Sequence, residues 1–211
     1  MPTLVEERKE IILPPPPPAD RGGDGGSGDP ESSFPVSKGQ IATWILLTAI
    51  LMLFAGLSSA YIVLRGQPTW QNIELPWLLW PNTAVLLMSS VALELSRKAI
   101  QRKDAASMKR WLSVGGVLGL GFLVGQLAVW KQLVNEGVYL PSTLQSSFFY
   151  ILSGLHGVHL LGGVIGLSVV LGKALKDRLT VANHEPLKLI ALYWHVMDAL
   201  WIYLFLMMLL S

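Results

Sequence analysis

The chain has 211 residues, of which 52% are hydrophobic, only 14% are charged and none is cysteine. A soluble domain of this size carries about 25% charged residues. Here the 16 Lys and Arg and the 14 Asp and Glu lie mostly outside long uncharged runs. With a mean hydropathy of +0.49, that segregation points to an all-α polytopic membrane helix bundle. It excludes a disulfide scaffold, a thiolate-held metal or cluster, and a chain disordered throughout. The formal net charge of +2 is small; the placement of the positive charges says more, and no nucleic-acid partner is expected.

Residues 1–40 differ from everything after them. Glu6, Glu7, Arg8, Lys9 and Glu10 precede five prolines, Pro14 to Pro18, and then the stretch Asp20-Arg21-Gly22-Gly23-Asp24-Gly25-Gly26. Proline favours an extended polyproline II rod and the Gly/Asp part a loose tether, and neither buries a core. A disordered Pro/Gly-rich cytoplasmic tail is expected, as a spacer or as a docking segment. A secretory signal fits within roughly 15–30 residues, so this longer charged leader is a poor candidate for one.

Five apolar runs follow, and together they make residues 41–211 one membrane domain. They cover residues 41–64, 77–96, 111–130, 147–171 and 189–210. A helix needs about 20 residues to cross the hydrocarbon layer, and each run meets that length. Alternation with period two is missing, so a barrel is not expected. Pro81 falls in the first turn of the second run, where a missing N–H matters least. Five transmembrane helices are predicted.

Orientation follows from the basic residues of the short loops. Arg97, Lys98, Arg102, Lys103, Lys109 and Arg110 lie between the second and third runs, and Lys173, Lys176, Arg178 and Lys188 between the fourth and fifth. The alternate loops hold Arg65 and Lys131 alone, so the bias is ten against two. This places the N-terminus in the cytoplasm and the C-terminus outside. Trp70, Trp77, Trp80 and Trp130 gather towards the outer side, as an aromatic belt does.

Ionisable groups inside a span cost roughly 2.5–3.5 kcal/mol each on insertion scales, so each needs a reason. Glu94 lies about two residues from the end of its run, a place from which a carboxylate snorkels to the interface. His156 and His159 are three apart, as are His195 and Asp198, so each pair shares one helix face. At 1.5 Å per residue, His159 lies roughly 12 Å from the cytoplasmic edge and Asp198 roughly 13–14 Å. Two pairs at one depth on successive helices suggest a structural or lipid-contacting network. A proton relay and a divalent-metal site are the alternatives. Recurrent glycines at four-residue spacing, Gly115–Gly119, Gly121–Gly125 and Gly162–Gly166, predict tight helix packing.

At this point specific strings matter. Tyr193-Trp194-His195-Val196-Met197-Asp198-Ala199-Leu200-Trp201 resembles the last helix of subunit III of the haem-copper oxygen reductases. Ser153-Gly154-Leu155-His156-Gly157-Val158-His159 is similar to the preceding helix of that family. Asn82-Thr83 followed by Leu86-Leu87-Met88-Ser89-Ser90, then Gln126, Glu136-Gly137-Val138-Tyr139 and Leu53-Phe54-Ala55-Gly56-Leu57-Ser58-Ser59-Ala60-Tyr61, extend the likeness. It runs in order across all five predicted helices and resembles the short bacterial form, which lacks the first two of seven.

The resemblance implies a non-catalytic core subunit of a proton-pumping terminal oxidase that reduces O₂ to water in the bacterial plasma membrane. It implies no redox cofactor in this chain, haem and copper in partner subunits, and bound phospholipid. The partners implied are subunit I in direct contact, subunit II, a small subunit IV, and a respiratory supercomplex in some systems. The haem type and the electron donor, cytochrome c or quinol, are set by those other subunits. Family members hold lipid in a cleft, which here would separate the first two helices from the last three. His156, His159, His195 and Asp198 match motif positions that are structural in the family. The competing readings are a subunit III-like component of a nitric oxide reductase or quinol oxidase, and a small-solute transporter. Where the family commonly has buried glutamates this chain has Ile50, Val129 and Lys188, so reduced proton handling inside the membrane is expected.

Overall fold

The computed structural model describes residues 37–68, 70, 75–176 and 184–210. Within them it holds five α-helices and no strand: α1 (Lys38–Arg65), α2 (Leu79–Gln101), α3 (Ala105–Asn135), α4 (Leu144–Leu175) and α5 (Glu185–Leu209). Most of the expected tail, residues 1–36, lies outside the described residues, and residues 38–40 form the first turn of α1.

The helices outrun most of their apolar stretches because they end where the backbone is capped, not where apolarity stops. Ser37 Oγ accepts the Gln40 N–H at the start of α1, and Asp104 Oδ1 accepts the Ser107 N–H at 2.9 Å at the start of α3. Thr143 and Ser146 form a reciprocal capping box before α4. The Ser107 N–H is the main reason the exposed Asp104 carboxyl is held below the usual carboxylate range. The cap is therefore intact at neutral pH and is lost only as pH falls through that depressed value. At the far end of α2, Lys103 adopts φ 60° and the Asp104 N–H reaches back to the Ala99 carbonyl at 3.0 Å.

Four helices, α1, α3, α4 and α5, are long and apolar enough to cross a membrane. The exception, α2, has 23 residues but is interrupted by Asn82, Thr83, Ser89, Ser90, Glu94 and Ser96. Those polar groups are what its neighbours use.

The order of packing is simple. Each of α2, α3 and α4 packs on the next helix, and α2 also packs on α5, closing a ring of four. Outside that ring α1 lies against α4 and α5, and among the described residues it makes no close backbone approach to α2 or α3. The expected division, two helices against three, is therefore corrected to α1 against the other four. Within the ring α2 is tied to α3 and α5 through side-chain hydrogen bonds.

Direction follows from which residues meet. Ser96 meets Met108 and Asn82 meets Gln126, so α2 and α3 are antiparallel. Ser37 bonds Glu185 at one end and Arg65 Nη2 donates to the Leu210 carbonyl at the other, so α1 and α5 run parallel. The start of α1 and the two basic turns consequently share one end of the bundle.

The core is aromatic: Phe54, Phe122, Phe149, Tyr61, Trp194 and Trp201 are all fully buried. The outer faces are equally apolar, with Val117, Val124 and Met52 exposed. Hydrophobicity provides little force between helices in lipid, so close packing must do it. A Cβ on Gly119 would stand 2.6 Å from the Trp194 ring, and one on Gly163 2.9 Å from Tyr193. The partner of Gly166 is Ile190, whereas Gly162 faces open space. On α4 the close approach thus uses Gly163 and Gly166, not the four-residue pair expected.

Gly137 ends α3 at φ +80°, with the Val138 N–H on the Leu133 carbonyl at 2.9 Å. Alanine there costs about 1–2 kcal/mol. Gly137→Ala should raise amide exchange at Val138 about tenfold while α3 and α4 keep their protection, as hydrogen-exchange mass spectrometry would record.

Candidate functional site: the seam between α2 and α5

Polar residues of α2 recur every seven positions, Asn82/Ser89/Ser96 and Thr83/Ser90/Arg97, which keeps each set on one side of a helix. The first set turns inward. Asn82 Nδ2 donates to Gln126 Oε1 at 3.3 Å, and Ser96 Oγ to the Met108 carbonyl at 3.0 Å. Ser89 Oγ accepts the Trp194 indole N–H at 2.9 Å, and Thr83 Oγ1 accepts that of Trp201 at 3.1 Å. Both hydroxyls pass their own protons to α2 carbonyls, Leu86 at 2.6 Å and Thr83 to Leu79 at 2.8 Å. Two fully buried indoles are thereby pinned by two hydroxyls whose lone pairs and protons are both engaged.

Tyr193 joins α5 to α4: its hydroxyl donates to the His159 carbonyl at 2.7 Å. All six residues singled out by motif, Asn82, Thr83, Gln126, Tyr193, Trp194 and Trp201, hold one helix to another.

The four intramembrane ionisable residues are dispersed. His156 is fully buried, its ring 4.9 Å from Trp201 and 6.0 Å from Phe122, and neither ring nitrogen has a hydrogen-bond partner. His159 Nδ1 lies 2.7 Å from the Leu155 carbonyl of its own helix, with Phe54 of α1 edge-on at 5.7 Å. His195 Nδ1 lies 2.6 Å from Ser90 Oγ, and Nε2 3.8 Å from Glu94 Oε2. With the proton on Nε2, facing Glu94, Nδ1 accepts from Ser90. Asp198 is 4% exposed, and neither carboxyl oxygen meets hydrogen-bond geometry. Among the described residues no hydrogen bond joins these four to one another, and no three His, Asp or Glu side chains converge as metal ligands do.

Glu94 lies within α2, which runs on past the apolar stretch. The helix continues to Gln101, so Glu94 lies about 10 Å from its end at 1.5 Å per residue. Its Oε2 pairs with Arg97 Nη1 at 3.0 Å. Ser89 and Ser90 stood in a motif string with no role assigned to them, and the seven-residue recurrence was the available signal.

A double-mutant cycle tests the seam. Trp201→Phe and Thr83→Val should each destabilise the subunit by about 1 kcal/mol, and the pair together by less than their sum, because both remove one bond. Gly119→Leu should displace Trp194 and abolish accumulation of the folded subunit in membranes, read by quantitative blotting.

The chain matches the family described as cytochrome c oxidase subunit III over residues 64–210. It is 34% identical over 173 residues to a probable cytochrome c oxidase subunit 3 of Nocardia farcinica, covering 78% of this chain and 84% of the relative. A cytochrome c oxidase subunit 3 of Corynebacterium diphtheriae is likewise 34% identical, with the same coverage. One from Synechocystis is 31% identical over 169 residues, covering 77% of this chain and 71% of the relative. The match of the family over residues 64–210, with relatives 34% identical across most of the chain, makes this chain a member of the cytochrome c oxidase subunit III family.

Proposed function

We propose that the chain is a membrane-embedded brace, the non-catalytic subunit III of an oxygen-reducing oxidase, which stabilises the haem- and copper-bearing subunit I and retains lipid beside it. The observation that carries this reading is that six motif side chains, Asn82, Thr83, Gln126, Tyr193, Trp194 and Trp201, each tie one helix to a neighbour. Subunit I is the direct partner in this proposal, with subunit II and a small subunit IV in the same complex. The membrane is the bacterial plasma membrane. All five helices span it, α2 included, because α2 packs along α3 and α5 and its polar groups are satisfied there. The basic end of the bundle faces the cytoplasm, with the C-terminus outside.

A cavity of about 510 Å³ between α1, α4 and α5 supports the lipid part. Leu46, Ile50, Gly162, Gly166 and Ile190 make its walls apolar, with Thr43 and His159 at its margin. An acyl chain suits that lining. Ile50 and Val129 are both buried, and Lys188 is exposed near the start of α5. Uncharged side chains at the first two places favour lipid retention over proton handling within this subunit. His156, His159, His195 and Asp198 then serve packing and lipid contact.

Purification through a tag on this chain in mild detergent should bring down a haem spectrum, copper and phospholipid. Recovery of the chain alone would refute the reading. Ile50→Trp, which fills the cavity wall, should lower bound phospholipid while leaving haem content unchanged.

A further inference from the structure

Besides the cavity proposed for lipid, a smaller one of about 320 Å³ lies between α3 and α4, with no α1 residue in its lining. That volume is at the small end of the roughly 300–1,000 Å³ of small-molecule sites. Leu123, Gln126 and Trp130 of α3 form one wall, and Gly154 and Gly157 of α4 the other. Leu127 at its margin is 60% exposed, so the cavity opens on the apolar outer surface.

Helix packing does not account for those two glycines. A Cβ on Gly119 or Gly163 would collide with an aromatic ring, at 2.6 and 2.9 Å. One on Gly154 would stand 3.4 Å from the Trp130 ring and one on Gly157 3.9 Å from Leu123, both ordinary contacts. Alanine would therefore fit at either place, and it favours a helix more than glycine does. What the missing side chains leave open is the cavity.

One polar group in the lining lacks a partner. Gln126 is 4% exposed; its Oε1 accepts from Asn82 at 3.3 Å, and Nε2 has no hydrogen-bond partner among the described residues. The other side-chain donors of the lining are engaged. The Trp130 N–H bonds Ser153 Oγ at 3.1 Å, and the Ser153 hydroxyl donates to the Phe149 carbonyl at 2.6 Å. Gln126 lies four residues, roughly 6 Å, inside the apolar run that ends at Trp130, where hydrocarbon offers no water to satisfy an amide. No charged side chain lines the cavity, so a neutral acceptor fits and an anion does not.

We infer that the α3–α4 cavity binds a neutral, membrane-dissolved carbonyl compound. Its oxygen accepts from Gln126 Nε2, and its apolar body lies along Trp130, Gly154 and Gly157. A quinone ring and the acyl ester of a lipid share that chemistry. The inference goes beyond the brace reading and stands whether or not other subunits accompany the chain.

Two photoreactive probes test it on the protein purified in mild detergent: an azidoquinone with a decyl tail, and a phosphatidylcholine with a diazirine beside one acyl ester. At least one should label residues 123–130 or 153–161, mapped by mass spectrometry, at about tenfold or more its yield in Gly157→Leu, whose side chain occupies the cavity. The probe that labels identifies the source of the carbonyl. Gln126→Met, which removes the donor and keeps the length, should lower labelling about fivefold, as one hydrogen bond allows. If a variant does not accumulate, the wild-type protein decides by competition. Methyl laurate, which has a carbonyl, should displace the label at about fivefold lower membrane concentration than tetradecane, which has none. Labelling of neither segment, labelling unchanged in Gly157→Leu, or equal displacement by the two competitors would each overturn the inference. Those results leave the brace reading intact, whereas a preparation without haem and copper refutes that reading and leaves this one standing.

Discussion

The hydrogen bonds from two buried indoles to two hydroxyls carry the rest of the structure. In hydrocarbon there is no water to satisfy a polar group, so a helix as polar as α2 is stable there only if neighbours meet its side chains. Trp194 and Trp201 do this for Ser89 and Thr83, and Gln126 does it for Asn82. The same bonds fix the antiparallel register of α2 on α5. The glycines work to the same end: Gly119 leaves the space that the Trp194 ring occupies.

Much of the fold was legible beforehand, for a physical reason. Five apolar runs and their flanking charges reflect what a bilayer imposes on any chain, so number, order and approximate position of the helices followed. Their ends did not, because capping by Ser37, Asp104 and Thr143 occurs beyond the apolar stretch. The partnering of helices was harder. Periodicity cannot tell which neighbour a uniformly apolar helix selects, and α1 meets α4 through ring contacts such as Phe54 on His159 and Tyr61 on Phe148, and α5 through polar contacts at its two ends.

The site was legible in its residues and not in their pairing. Equal depth brought His156, His159, His195 and Asp198 to attention, yet depth is only one coordinate. Rotation about each helix axis sends His156 into the aromatic core and His195 to the α2 edge. The residues that complete the seam, Ser89 and Ser90, are ordinary in composition. Their significance lies in recurring with Asn82 and Thr83 at an interval that keeps a helix face constant. Asn82, Thr83, Gln126, Tyr193, Trp194 and Trp201, which the motifs singled out, are the residues that join one helix to another.

Exchange of the indole N–H protons is the most direct measurement of the central claim. In the purified complex, with tryptophan labelled by ¹⁵N, those of Trp194 and Trp201 should exchange far more slowly with solvent deuterium than that of Trp77, which is 71% exposed. Exchange of all three at one rate would mean that the indoles are not pinned to α2, and the account of how this bundle holds together would be wrong.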